Sequence, residues 1–231
     1  MKILSLDTSC KTAMAAVSED GVILGAISIQ DHKTHSVKML PAIEYILSAA
    51  EIAPADLDLI AVTNGPGSYT GLRIGVTTAK TFAYSLRIPL IGVNSLEALA
   101  AACNMDPVSL ICPVIDARNA RVYASLYRDG KEMMKPCALS CDVLCEKLKS
   151  EYSGEKILFT GDGIFANRTR FTELLGEMYR PVSVELSGGN PAAISLLARA
   201  KYAAAEAAGT LSEFTAESLK VEYYKNYTDS I

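Results

Sequence analysis

Residues 57–86 read LDLIAVTNGPGSYTGLRIGVTTAKTFAYSL, and their reading decides the fold. The first eight are short, apolar and β-branched at Ile60, Val62 and Thr63, the composition of a buried strand. Asn64-Gly65-Pro66-Gly67 continues neither strand nor helix, because glycine and proline break both patterns. From Thr70 the apolar residues fall at Leu72, Val76, Ala79, Phe82, Ala83 and Leu86, a helical spacing. Small residues recur along the same helix at Gly71, Gly75, Thr78, Ala79 and Ala83. A glycine inside a helix costs about 1 kcal/mol against alanine, so something is expected to pack where a side chain would block it. Two occupants fit: the chain's own sheet, or a helix of a second chain.

Upstream, residues 2–8, 12–18 and 22–29 read as a three-stranded meander, with Glu19-Asp20-Gly21 as a hairpin turn. A polar patch, Asp31 to Ser36, leads into a helix over 36–51. Its apolar positions (Val37, Met39, Leu40, Ile43, Tyr45, Ile46, Leu47, Ala50) cover more than one face, more than packing on a single sheet needs. Downstream come a strand over 90–93 and a helix over 95–103, capped by Asn94 or Ser95.

The order then repeats. Three strands are expected over 109–115, 121–128 and 131–138, then a helix over 141–150 capped by Ser140. A strand over 157–160, a short helix after Gly163, a strand over 182–186 and a helix opened by Pro191 and ending near 208 complete the second round. The tail, 215–231, reads as an extended or partly ordered arm. A β-β-β-α-β-α-β-α unit used twice resembles the duplicated α/β fold of actin-like proteins and sugar kinases, in which a nucleotide lies between two lobes. The lobes are expected at 1–105 and 106–231, with helix 191–208 and the tail able to pack back on the first. Fold-level likeness of this kind says little about function.

Half of the 231 residues are apolar, enough for a sizeable core, and the formal net charge is −4. An acidic balance argues against this chain alone gripping a phosphate backbone. No apolar run reaches membrane-spanning length, and the opening residues read as a first strand rather than a leader. A soluble, cytoplasmic protein with no membrane contact is expected. The six cysteines include no Cys-x-x-Cys pair. Cys137, Cys141 and Cys145, spaced by four, are expected to be buried reduced thiols rather than a metal site.

Candidate chemistry is sparse. His32 and His35 are the only histidines, too few for a triad or a two-histidine metal site. Each half has an Asp-led turn, Asp7-Thr8-Ser9-Cys10-Lys11 and Asp116-Ala117-Arg118-Asn119-Ala120, and neither contains the glycine that lets backbone N–H groups close on a phosphate. Gly65-x-Gly67-x-x-x-Gly71 has neither dinucleotide-fingerprint nor P-loop spacing. A vestigial nucleotide cleft would be framed by Asp7, Asp116 and Arg118.

Several runs resemble one family: Ile3 to Ser9, His35-Ser36 with Leu40-Pro41, Asn64 to Gly75, Val93 to Glu97, Asp116-Ala117-Arg118 with Val122-Tyr123, and Gly161-Asp162-Gly163. It is the TsaB (YeaZ) family, subunits of the bacterial machinery that makes threonylcarbamoyladenosine in tRNA. The likeness runs over about the first three quarters of the chain and is weakest after Thr210, where the family's tail segment is matched only loosely at 218–224. The catalytic paralogue, TsaD, carries two metal-binding histidines in a Val-Asn-His-x-x-x-His run. Here Ser95 and Leu99 stand at those positions, so the resemblance implies a non-catalytic subunit with no catalytic cofactor, ATP or ADP in the complex being left open.

The resemblance further implies pairing with TsaD through helices 36–51 and 70–86, a homodimer through a similar surface when alone, TsaE joining the pair, and tRNA met only through the complex. The expected interface core is Met39, Ile43, Ile46, Leu47, Leu72, Val76, Ala79 and Ala83. An Ala79→Arg or Ala83→Glu change is then expected to split the dimer and leave the fold intact. The alternatives are a stand-alone actin-like ATPase or kinase and a metallopeptidase-like protein.

Overall fold

The computed structural model describes residues 1–30, 35–103, 109–183 and 187–224. They form two compact units, Met1–Ala98 with Asn190–Glu222, and Leu99–Gly189 with Tyr223 and Tyr224. Within the first lie strands β1 (Lys2–Asp7), β2 (Thr12–Glu19), β3 (Val22–Gln30), β4 (Leu59–Gly65) and β5 (Leu90–Asn94). Its helices are α1 (His35–Ala49), α2 (Tyr69–Leu86) and α7 (Pro191–Ala208), and α3 (Ser95–Ala102) begins in it. The second unit has β6 (Leu110–Asp116), β7 (Arg121–Arg128), β8 (Lys131–Ser140), β9 (Ile157–Thr160) and β10 (Tyr179–Pro181), with α4 (Cys141–Glu151), α5 (Gly163–Ala166) and α6 (Arg168–Leu175).

The duplication is explicit in the sheets. The first has the order β3-β2-β1-β4-β5 and the second β8-β7-β6-β9-β10. In both, the three meander strands pair antiparallel and the two crossover strands add in parallel. This is the expected α/β fold of two related halves. Helix α7 lies on the first sheet, against β1, β2, β4 and β5.

The hairpin turns use the residues they need. Asp20 and Gly21 have φ of 49° and 89°, and Asp129 and Gly130 have 50° and 69°, the paired positive values of a two-residue turn matched to strand twist. The Ser140 hydroxyl accepts from Val143 N–H at the start of α4, and Asn190 caps α7 with Pro191 in its first turn. Asn94, not Ser95, caps α3: its Oδ1 accepts from Leu96 N–H at 3.0 Å and Glu97 N–H at 3.4 Å.

The last strand differs from expectation. It occupies 179–181 rather than 182–186, where residues 184–186 lie outside the described set. The Tyr179 ring explains the shift: it packs edge-on against Phe159 at 4.9 Å and beside Phe171 at 5.6 Å, completing the second core. The expected short helix after Gly163 is two, α5 and α6, separated at Asn167, whose amide donates back to the Gly163 carbonyl at 3.0 Å. Cys137 lies on β8, while Cys141 and Cys145 face the same core from α4 together with Cys112 of β6. All six cysteines are free, and burial pushes Cys141 up to about 11 and Cys145 up to about 12.

Candidate functional site

The glycine turn between β4 and α2 is built against the tip of β1. Ser68 N–H donates to the Ser9 carbonyl at 2.7 Å, and the Thr8 hydroxyl donates to the Gly71 carbonyl at 2.6 Å. A Cβ at Gly67 would stand 2.4 Å from the Ser9 carbonyl oxygen, one at Gly71 2.0 Å from the Thr8 carbonyl oxygen, and one at Gly75 2.3 Å from the Thr8 hydroxyl. No side chain fits at such distances. At Gly71 and Gly75 the small-residue stripe of α2 is therefore occupied by Thr8, just past the end of β1. Ser68 then caps the helix by accepting from Gly71 N–H.

Asp7 supports this tip from below. It is 6% exposed, and its Oδ1 accepts from the Thr63 hydroxyl at 2.6 Å and from Ser9 N–H at 2.8 Å. Burial raises its carboxyl above the ordinary value, and the hydrogen bonds from Thr63 and Ser9 act against that rise. Ser9 N–H, which a phosphate-gripping turn would offer outward, is thus committed to the Asp7 side chain. His35 opens α1 with Nε2 3.3 Å from the Cys10 carbonyl oxygen. His32 lies outside the described residues. In the second unit Arg118 N–H donates to Asp116 Oδ1 at 2.9 Å, and Arg118, Asn119 and Ala120 are all left-handed, with φ of 66°, 52° and 55°.

Ser95 and Leu99, where the resemblance implies the paralogue's metal ligands, do not fit a metal. Leu99 is an alkyl chain 4% exposed, and Ser95 is 1% exposed and offers one neutral hydroxyl. Among the described residues no group of three or more His, Cys, Asp or Glu is arranged to hold a metal ion.

The eight side chains expected at an interface all lie inward. Met39, Ile43, Ile46, Leu47, Leu72, Val76, Ala79 and Ala83 are each at most 4% exposed and belong to the core of the first unit. The expectation that they form an interface core is corrected by their burial: they hold α1 and α2 to the sheet, so Ala79→Arg would unfold the chain rather than split a dimer. The outward faces of the same helices carry the accessible apolar surface. Val37, Leu40 and Tyr45 on α1 and Tyr69 and Tyr84 on α2 are between 48% and 70% exposed. They are five of the eleven large apolar side chains standing exposed among the described residues. Between the start of α1 and the outer side of α2 lies a depression of about 480 Å3, lined by Ser36, Tyr69, Thr70, Arg73 and Thr77 among others. The Arg73 guanidinium stacks 4.0 Å over the Tyr69 ring.

The sequence offers the tail as able to pack back on the first lobe without saying where. Residues 214–222 are bound to the first unit at Leu90, Asn64 and Asn94. The alternation of Leu219 and Val221 with Lys220 and Glu222 marks the segment only as extended.

Two related α/β units with a glycine turn closed on the first strand define an actin-like α/β fold. The family described as TsaD, tRNA N6-adenosine threonylcarbamoyltransferase, matches residues 23–227. The tRNA threonylcarbamoyladenosine biosynthesis protein TsaB of Bacillus subtilis is 37% identical over 210 residues, 88% of this chain and 90% of that protein. Its Escherichia coli counterpart is 31% identical over 129 residues, 55% of each. YeaZ from Pseudomonas aeruginosa superposes with a TM-score of 0.75 at 23% identity, over 96% of this chain and 99% of that one. The ROK hexokinase of Thermus thermophilus, with a TM-score of 0.53 at 11% identity over 87% and 99%, shares the fold alone. The chain belongs to the TsaB family. Among the described residues no helix is long and apolar enough to cross a membrane.

Proposed function

We propose that this chain serves tRNA threonylcarbamoyladenosine biosynthesis as a non-catalytic subunit that docks a TsaD-type catalytic partner on the outer face of α1 and α2. The observation that carries the reading is the concentration of exposed Val37, Leu40, Tyr45, Tyr69 and Tyr84 on these two adjacent helices. Exposed apolar side chains rich in tyrosine are the composition of a protein interface core. The same face serves a homodimer when the catalytic partner is absent, so the two associations compete. TsaE joins the pair. The tRNA is gripped by the complex, since a chain of net charge −4 brings little of its own to a phosphate backbone.

The non-catalytic part of the reading rests on Ser95 and Leu99, neither of which replaces an imidazole ligand. Reconstitution tests it. Threonylcarbamoyladenosine is to be measured in tRNA incubated with the TsaD from the same cell, TsaE, ATP and the threonylcarbamoyl donor, with and without this chain. Modification only when this chain is present, together with full activity of a Ser95→Ala variant, is the expected result. Modification by the others alone, or by this chain without TsaD, would sink it.

A further inference from the structure

The segment 214–222 runs along β5 from its first residue, Leu90, through Gly92, to the carboxyl ends of β4 and β5 at Asn64 and Asn94. At its start, Leu90 N–H donates to the Phe214 carbonyl at 3.0 Å. In its middle, Leu219 reaches Gly92 so closely that a Cβ there would stand 2.6 Å from its Cδ1. At its end, Glu222 N–H donates to the Asn64 carbonyl at 2.8 Å, and the Asn64 amide donates to the Lys220 carbonyl at 3.1 Å. Gly65, at φ +128°, has room for no Cβ, which would lie 2.3 Å from the Glu222 carbonyl oxygen. The pairing of β4 with β5 slips at Asn64, and a bulge of this kind leaves polar backbone groups to be taken by a partner outside the ladder. Glu222 also accepts from the amide of Asn94 at 3.2 Å, the residue that caps α3.

This attachment is local and light. Ala216, Leu219 and Val221 touch one core cluster of the first unit and Phe214 another, and all four are only half-buried. An open cavity of about 600 Å3 lies between the first half of the segment and the end of α2, at Tyr84 and Arg87. A segment whose apolar anchors are all half-exposed, beside an open cavity, opens at lower free energy than the sheet it covers.

We propose that residues 214–222 are a strap that opens as a unit, and that its closure fixes the Asn64–Gly71 turn and, through that turn, the outer face of α2. The coupling to docking rests on the reading given above; the strap itself does not. Closed, Glu222 holds Asn64 and Gly65, which begin the turn, and Ser68, which ends it, caps α2 one residue before Tyr69. A strap that opens therefore loosens the end of α2 that carries Tyr69 and Arg73.

The test is amide hydrogen exchange on the full chain and on two variants, Leu219→Glu, which drives the anchor into solvent, and Glu222→Ala, which cuts the side-chain bonds to Asn94 and Asn64. Exchange about tenfold faster at 65–72 and 95–98, with strands β1 and β2 unchanged, is the expected result for Leu219→Glu, and a smaller rise at the same two places for Glu222→Ala. Acceleration limited to 214–222 itself would overturn the strap. If Leu219→Glu does not fold, as unprotected β1 and β2 would report, the Glu222→Ala result decides alone. Self-association by sedimentation is then compared between Leu219→Glu and the unaltered chain. A rise in Kd of about fivefold, the size of a modest coupling free energy, is expected. An unchanged Kd despite a loosened turn overturns the coupling. An unaltered chain that neither self-associates nor binds a TsaD-type partner removes the docking reading and the coupling with it, while the exchange data still decide the strap.

Discussion

Gly71 sets two effects against each other. Helix propensity favours alanine there by about 1 kcal/mol. The Thr8 carbonyl oxygen, 2.0 Å from where the Cβ would stand, forbids it. Backbone cannot swing aside as a long side chain can, and overpacking typically costs about 1–3 kcal/mol or more, so Gly71→Ala is expected to destabilise despite the better helix former. Urea unfolding of Gly71→Ala beside the unaltered chain checks this. Asp7 makes a second expectation at the same scale. Its folded carboxyl is raised above the unfolded value of 3.8 mainly by burial. A raised carboxyl contributes stability that is full below that value and is lost as pH rises through the folded one. Asp7→Asn keeps an oxygen for Thr63 and Ser9 and removes the titration. Its stability relative to the unaltered chain should therefore improve between pH 4 and pH 7, read by urea midpoints at both; no change in the difference would contradict the assignment. That a close contact existed at Gly71 and Gly75 was legible in the sequence, since two glycines in an otherwise good helix require a reason. That the contact is Thr8 was not, because residues more than sixty apart in the chain meet only through the pairing of β1 with β4.

At the scale of elements, α1 and α2 divide into an inner and an outer face. The apolar count of residues 36–51 placed apolar side chains on more than one face, and Val37, Leu40 and Tyr45 stand exposed on the outer one. It did not say which side chains face which way, and the eight expected at an interface carry the helical period of the packed face. Periodicity reports the face packed on the chain's own sheet, because that face is continuous over every turn. The outer set is interrupted by Ser36, Pro41, Glu44, Thr70, Arg73 and Thr77, so it carries no clean period. Leu40→Glu and Tyr84→Glu are accordingly expected to weaken association about tenfold or more while thermal stability stays within a few degrees. Ala79→Arg, at a position 0% exposed, should abolish the cooperative melt. Light scattering and thermal unfolding separate the two classes. The displaced β10 belongs here too: Val182 promised a strand by composition, whereas Tyr179 supplies the ring that closes the second core against Phe159.

For the whole molecule, the repeated element order was readable without evident sequence identity between the halves, because the meander turns at Asp20-Gly21 and Asp129-Gly130 recur in the same places. That the tail can pack back on the first lobe was readable; its route along β5 was not, since Leu219 and Val221 are too few to specify a partner surface. On the proposed reading the division of labour follows from Ser95 and Leu99 at the paralogue's ligand positions and from Asp-led turns in which Ser9 N–H and Arg118 N–H are held by Asp7 and Asp116. The surface that reading assigns to a partner is the outer face of α1 and α2. The most direct test is to mix it with the TsaD from the same cell and determine the mass of the mixture by size exclusion with light scattering. A one-to-one complex that forms with the unaltered chain and is lost with Tyr84→Glu is the expected result. Two species eluting separately, or a complex indifferent to Tyr84→Glu and Leu40→Glu together, would contradict docking on this face.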